Sequence, residues 1–580
     1  MMTAPHSCSS AREGPSSAVP LSCLKRLQRL MAVPRIVARS ARVRGVWIAF
    51  ALASCEDFPN EPSSTVTMQQ PSGAEWPQDL FVKDDSLLTI DVEDKAGTGI
   101  TGLHVKWQSS DPTVLEVRPV APAGTTNEDV LIAERSIRIV AQRRGIATIS
   151  ATITQPGIKP ASLSQEVHVM ERWIAVSAGS SHSCGITIDH DAFCWGTGLL
   201  GNGSAAGSVI PVPVGRGFKF RSVTAGNGHS CGVLLDGTVE CWGLNTNGEL
   251  GTGGPGDQSL PVLLSSTSVL DSLFAGDGYV CGVSSAMAAY CWGTNQKWQL
   301  GDGFIQPFSP PNGQPKPSFD DCGILFRSLC SRLPRRVRDR GSPAAEEGVP
   351  LVLSSIAPAV THTCALVPSG AAVCWGEGSV QLGSPVDVTT DSASAVPFVS
   401  VSAGPAFRAI TAADLHTCAL AEPNALVYCW GFNTHGELGT ATPDSTCQTF
   451  SVPAVVGCSP TPAVAFSGVQ VSAIEAGGNA TCALGTDRNV YCWGSNQFGQ
   501  LGDPALRGAC DAGTVCSPAA VGVDLGGLPV VGLSVGAGHA CAVAAEGQML
   551  CWGDSSDGRL GAKSVNNAGL SAPHRVDEPE

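Results

Sequence analysis

Seven cysteine pairs punctuate the later part of the chain: Cys184/Cys194, Cys231/Cys241, Cys281/Cys291, Cys364/Cys374, Cys418/Cys429, Cys482/Cys492 and Cys541/Cys551. Six pairs are ten positions apart and the fifth is eleven apart. A cysteine pair can hold a metal, cycle between thiol and disulfide, or staple a fold. Metal and redox sites group their cysteines as C-x-x-C, and that spacing is missing from this sequence. In GHSCGVLLDGTVECWG (228–243) an Asp-Gly lies midway between the pair, as in a β-hairpin turn. Facing residues of a hairpin lie about 4.5–5.5 Å apart at Cβ, near disulfide range. The extra residue of the fifth pair falls in Glu422-Pro423-Asn424, where a turn absorbs it. The expectation is seven structural disulfides, each worth roughly 2–3 kcal/mol by chain entropy.

Six further cysteines form local pairs, Cys322/Cys330, Cys447/Cys458 and Cys510/Cys516, read as staples of three long inter-blade loops. Cys8, Cys23 and Cys55 belong to the N-terminal segment. Such a cysteine count suits an oxidising compartment.

The elements that must position these pairs recur with them. Each second cysteine is followed by Trp-Gly, at Trp195, Trp242, Trp292, Trp375, Trp430, Trp493 and Trp552. Most first cysteines follow one another at 47 to 64 residues, with one gap of 83. The second unit reads as four strands: FRSVTAG, SCGVLL, TVECWG and LPVLL. A Pro-x-x-(Val/Leu) element recurs at Pro211, Pro261, Pro350, Pro453, Pro518 and Pro573, with a variant at Pro397. An N-x-x-G-x-L-G loop is clear at 245–251, 433–439 and 496–502. Four strands per unit, seven times over, predict an all-β seven-bladed β-propeller with disulfide-stapled blades over 171–580. The motifs resemble the regulator of chromosome condensation type repeat, which implies the same fold. The paired cysteines depart from the eukaryotic cytosolic pattern and look like an exported bacterial form.

His182, His229, His362, His416 and His539 stand two positions before a first cysteine, where units three and six carry Tyr279 and Ala480. Blade symmetry spreads these around a wide ring, too far apart for one metal ion. They read as hydrogen-bonded structural residues near the blade edge, and the tryptophans as packing between blades.

Residues 66–170 alternate as short strands and predict a β-sandwich. Val105, Trp107, Val114, Val117, Ile137, Ile139, Ile146 and Ile149 are its candidate inward positions. The W-x-S-S-D-P-x-V-x-x-V run and the later G-x-A-T-I-S-A resemble bacterial immunoglobulin-like domains of group 2, which implies a spacer or adhesive module. Before it, Arg35, Arg39, Arg42 and Arg44 precede a short apolar run (46–53) and Leu52-Ala53-Ser54-Cys55. This resembles the bacterial lipobox. It implies cleavage before Cys55 and lipidation of its thiol, with 1–54 as signal segment, a start at Met31 and a tether from 55 to 65. The apolar run is too short to span a bilayer.

The net charge is −15. Residues 1–54 hold eight Lys/Arg and one acidic residue, +7, which leaves −15 − 7 = −22 beyond them. Such a surface repels nucleic acid. The longest insertion, read as about 302–348 between units three and four, carries CGILFRSLC and SRLPRRVRDR. Its Phe326, Arg327, Arg335, Arg336 and Arg338 combine apolar and arginine anchors and are the candidate partner-binding residues. A second insertion spans 440–467. No nucleophile motif, phosphate loop or metal-ligand cluster stands out, so no catalytic residue and no cofactor are expected.

The leading expectation is a lipid-anchored binding protein of a bacterial cell envelope, periplasmic or at the surface. Its partner would be a protein or other extracytoplasmic macromolecule, and the lipid anchor its one membrane contact. The alternatives are guanine-nucleotide exchange, which the family resemblance implies, an exported enzyme, and a purely structural envelope protein.

Overall fold

The computed structural model divides the chain into two units, 1–170 and 171–580. It describes most of 79–170 and of 171–579, outside 90–103, 120–135, 303–329, 340–348, 384–393, 441–444, 448–455, 511–514, 565–570 and scattered shorter positions. Within 1–78 it describes Ile36–Val37 and Met68–Gln69. The rest of the signal segment, Cys55 and the tether lie outside the described residues.

Among the described residues the first unit holds two sheets of three and four strands, beside the short parallel pairing of Ile36–Val37 with Met68–Gln69. One orders Asp79–Phe81, Ile158–Met170, Gly145–Gln155 and His104–Ser109, and the other Asp85–Thr89, Ser136–Ala141 and Leu115–Pro119. Period-two alternation buries Ile137, Ile139 and Ala141 and exposes Arg138 between them. Val114 and Ile149 are buried, while Val105, Trp107 and Val117 are partly so. Ile146 is a correction. It is 58% exposed, and its neighbour Ala147 points inward instead. The long strand follows the odd-numbered frame of Ile149, Ala151 and Ile153, which puts Ile146 on the outer face.

Among the described residues the second unit is a ring of seven antiparallel sheets, six with four strands and one with five, beside one two-stranded ladder. In the second blade these strands are Phe220–Ala225, His229–Leu234, Val239–Gly243 and Gln258–Leu263. Each blade's first strand packs against the first strand of the next, and the seventh packs against the first. Blades one and seven are each built from consecutive strands. The ring therefore closes without strand exchange, through contacts between complete blades. Trp173 N–H donates to Gly547 O (2.9 Å) and Arg559 Nη1 to Ser180 O (2.9 Å). Arg559 is itself ion-paired to Asp554 and Asp557.

Two assignments move. The fourth strand of blade three is Cys330–Arg336, carrying Pro334, while Val349–Pro350 pairs separately with Arg338–Asp339. The fourth strand of blade five is Val456–Phe466, carrying Pro462 rather than Pro453. Accordingly Cys330, Cys458 and Cys516 lie on fourth strands, and Cys447 and Cys510 precede them within the same blades, not in inter-blade loops.

The repeat motifs are parts of one joint between blades. All seven Trp-Gly tryptophans are fully buried. Six donate their indole N–H to a carbonyl in the preceding blade: Trp195 to Arg559, Trp292 to Glu249, Trp375 to Gln299, Trp430 to Gln381, Trp493 to Glu437 and Trp552 to Gln500, at 2.8–3.0 Å. The accepting residue sits in the N-x-x-G-x-L-G loop. There Asn245, Asn295, Asn433 and Asn496 fix the turn, each Oδ1 accepting the N–H of the loop leucine at 2.9–3.1 Å. The glycine after each tryptophan has φ of 102–112° and forms the bulge where the fourth strand departs. A Cβ on Gly243 would lie 2.4 Å from Gly228 O, so no other residue fits.

Trp242 is the exception. Blade one has a shortened loop, and the buried Trp242 Nε1 finds no acceptor. Replacing Trp292 by Phe removes a buried hydrogen bond and should destabilise by about 1 kcal/mol more than Trp242→Phe, where no bond is lost. Urea titration of both variants checks this.

Candidate interaction face

In an antiparallel meander the turns joining first to second strands and those joining third to fourth emerge on the same face. That face carries the histidine turns and the asparagine loops. On it, buried His182, His362, His416 and His539 each meet a hydroxyl of the adjoining blade. Their Nε2 atoms lie 2.7 Å from Ser230 Oγ, 2.9 Å from Thr417 Oγ1, 2.8 Å from Thr481 Oγ1 and 2.7 Å from Ser183 Oγ. Tyr279 OH reaches Thr363 Oγ1 in the same way (2.9 Å). The histidines are thus inter-blade bolts and not blade-edge residues. Where the histidine is missing, at Ala480, the hydroxyl opposite is missing too, at Ala540. His229 faces Val280, and its Nε2 has no partner.

A second ring lies nearer the axis. Ser177, Thr224, Thr411 and Ser534 hydroxyls accept the N–H of Ala225, Ala275, Ala476 and Ala178 in the adjoining blade, at 2.9–3.0 Å. Blade six has Glu475 at this position, paired opposite Cys482. Burial pushes its carboxyl up to about 7. The junction of blades six and seven therefore lacks both kinds of hydroxyl bridge.

Each blade pair is a disulfide between the second and third strands. Cys184–Cys194, Cys231–Cys241, Cys281–Cys291 and Cys364–Cys374 staple blades one to four, with Cα–Cα distances of 4.0–4.1 Å. Cys418–Cys429, Cys482–Cys492 and Cys541–Cys551 staple blades five to seven, each at 4.1 Å. In every blade the two cysteines are directly facing residues of the ladder. Cys418 keeps this register with Cys429 despite the longer spacing, because the extra residue lies in the turn between Ala421 and Val427. All fourteen sulfurs belong to buried residues with no exposed surface, so the staples serve the blade interior and none is a candidate binding or redox residue of the face.

Cys447–Cys458 and Cys510–Cys516 are bonded as well. Cys330 is disulfide-bonded, and Cys322, its expected partner, lies outside the described residues. Cys330, Cys458 and Cys516 occupy one equivalent position, the residue before a fourth-strand serine that pairs with the Trp-Gly glycine. Ser331, Ser459 and Ser517 each donate to the carbonyl two residues on, at 2.7–2.8 Å. The shared C-S dipeptide at 330, 458 and 516 is the sequence signal that would have placed these staples within blades.

Of the candidate binding residues, Phe326 and Arg327 lie outside the described residues. Arg335 and Arg336 are half-buried on the outer strand of blade three, opposite Cys291 and Tyr290, and Arg338 follows just beyond. They belong to the blade framework and not to a free loop, so the insertion proper is 303–329. Towards the axis the face is acidic. Asn227 Nδ2 donates to Asp277 Oδ1 (2.7 Å), and burial together with Asp277 and Glu437 raises the Asp414 carboxyl above its usual range. Among the described residues no cluster of three or more His, Cys, Asp or Glu side chains is arranged to hold a metal.

The family model described as "Regulator of chromosome condensation (RCC1) repeat" matches 173–202, 220–249, 471–500 and 530–559. A second model of the same description matches 424–484 and 487–543. Among curated proteins, the chain is 28% identical over 258 residues to "RCC1 domain-containing protein RUG3, mitochondrial" of Arabidopsis thaliana, covering 42% of this chain and 50% of that protein. It is 28% identical over 238 residues to "Probable E3 ubiquitin-protein ligase HERC6" of Homo sapiens, covering 39% of this chain and 21% of that protein. The chain spans half or less of the length of these relatives. Among solved structures it resembles yeast RCC1 (Prp20) bound to Kap60, at TM-score 0.51 and 20% identity over 67% of this chain and 84% of that one. Human WBSCR16 is similar at TM-score 0.50 and 17% identity, over 76% of this chain and 99% of that one.

Burial holds the bolt histidines neutral, His182 and His416 down to about 4 and His362 and His539 to about 3, against 6.5 when exposed. Their contribution is full above pH 6.5 and is lost as pH falls towards 4 and 3. Glu475 has the opposite sign: its folded value is raised, so it lowers stability as pH climbs from 4.5 to about 7. Melting curves should show a midpoint falling below pH 6.5, and Glu475→Thr should raise the midpoint more at pH 8 than at pH 5. The chain thus resembles regulator of chromosome condensation repeats over the matched stretches and folds as an all-β propeller of disulfide-stapled blades.

Proposed function

We propose that the chain is an exported, lipid-anchored binding protein of a bacterial cell envelope. Its propeller serves as the recognition platform for another protein, and its first unit, read as an immunoglobulin-like module, serves as the spacer from the membrane. The observation that carries this reading is the set of buried disulfides, one stapling every blade, which belongs to an oxidising compartment. The long sequence segments between third and fourth strands of blades three, five and six each lead to a disulfide-bonded cysteine, Cys330, Cys458 and Cys516. Loops on a rigid frame are where propellers place recognition.

Guanine-nucleotide exchange is the second reading. It is favoured by likeness of fold to yeast Prp20p, a protein described with binding properties to Gsp1p and histones. The disulfides oppose it, because they would be reduced in a cytosol.

The test is cross-linking capture in the protein's own cells, comparing the full chain with one lacking 303–329 and carrying Cys330→Ser. The fourth strand of blade three stays intact in this variant. The expected result is a partner protein captured by the full chain and lost with the loop. Cys55→Ser should in addition release the protein from the membrane fraction. Capture of no partner by the full chain, or a Cys55→Ser protein still in the membrane fraction, contradicts the reading.

A further inference from the structure

Several arginines elsewhere on this acidic chain find carboxylates, Arg118 pairing with Glu116, Arg138 with Asp85, Arg221 with Asp271 and Arg559 with Asp554, while Arg408 donates to the Val471 carbonyl. Blade three is different. Arg332, Arg336 and Arg338 lie along its outer strand and just beyond it, and none has an ion pair among the described residues. Arg332 Nε and Arg336 Nε are also buried without a hydrogen-bond acceptor. A buried donor left unmade is costly, and a guanidinium more so. Arg335, between them, is tied down, its Nε donating to Ser331 Oγ (3.2 Å). Leu333, in the same run, is 38% exposed. The strand is the edge of its sheet, and residues 330–338 contain no acidic residue.

We propose that this basic outer rim of blade three docks an acidic polypeptide segment of a partner, whose carboxylates complete the three guanidiniums and whose apolar residues cover Leu333. The inference rests on the reading of the propeller as a protein-binding platform and assigns it a site and a partner chemistry. Arginine forks match carboxylates in a bidentate manner. The strand holds Arg332 and Arg336 roughly 13 Å apart, at about 3.3 Å per residue, so an extended segment with spaced acidic residues can meet both. An anionic bilayer is the poorer occupant, because a body of about −22 net charge is repelled by it.

The experiment uses the full chain and a fluorescein-labelled peptide of alternating Glu and Val, with a Lys-Val peptide as control. Fluorescence anisotropy should show binding of the first and not the second, weakening as salt rises. Arg336→Gln with Arg338→Gln should reduce affinity about tenfold. Hydrogen exchange across 330–338 should slow on adding peptide to the unaltered chain, a readout that does not depend on how the variants fold. Absence of binding overturns the proposal, as does binding unaffected by the variants. Protection elsewhere than 330–338 does the same. Arginine-dependent binding to phosphatidylglycerol vesicles that the peptide fails to displace would assign the rim to lipid. Peptide binding that appears only after Glu346→Gln and Glu347→Gln would assign it to the chain's own segment and overturn the proposal as well. Cellular capture is scored separately. A partner captured equally by wild type and rim variants defeats this inference alone, whereas capture of nothing defeats the platform reading.

Discussion

The indole-to-carbonyl bond between neighbouring blades is the constraint on which the structure depends. A four-stranded sheet of this size has two faces to cover and cannot cover them alone. The tryptophan of one blade lies against the loop of the preceding one, whose asparagine, leucine and final glycine are shaped around it. A Cβ on Gly251 or Gly301 would come within 2.9 or 2.5 Å of the indole nitrogen of the next blade. The loop motif and the Trp-Gly motif are therefore two halves of one joint, which is why they recur together. The hydrophobic clusters follow the same logic. One joins Cys231, Val233 and Leu250 of blade two to Leu273, Val280 and Trp292 of blade three.

Around that joint lie layers of polar closure. Hydroxyl bridges tie the inner strands, histidine bolts tie the next layer, and a disulfide fixes each central hairpin. The layers are not uniform. Between blades six and seven Ala480 faces Ala540 and Glu475 replaces a hydroxyl, so this junction relies on the indole bond of Trp552 and on apolar packing. The ring-closing junction has the opposite character. Arg559 stands where blades two to six carry Glu or Gln, and it joins blade seven to blade one through its guanidinium and its carbonyl. A closure made without strand exchange is reinforced there by a charged latch.

Much of this was legible in the residues, for local reasons. A hairpin between two cysteines depends only on strand period and turn chemistry, so facing cysteines follow from ten-residue spacing. Four strands per unit follow in the same way. Long-range placement was less legible. Pro350-x-x-Leu353 and Pro334-x-x-Val337 present the same pattern, and both end in a buried residue. Only pairing with Tyr290 and Cys291 identifies the true fourth strand. That ambiguity made a framework strand look like a basic loop. Ile146 was misplaced because a small residue, Ala147, held the inward position and gave a weak apolar signal. The hydroxyl partners of the histidines lie 48 or more residues away in sequence, and nothing local points to them.

A disulfide in every blade is the feature on which the proposal of export rests. Its most direct test is thiol mapping on protein taken from its own cells, alkylated under denaturing, non-reducing conditions and read by mass spectrometry. The account predicts that all fourteen blade cysteines, and the six at 322, 330, 447, 458, 510 and 516, resist alkylation until reduced. Free thiols at the blade pairs, such as Cys231 and Cys241, would contradict it.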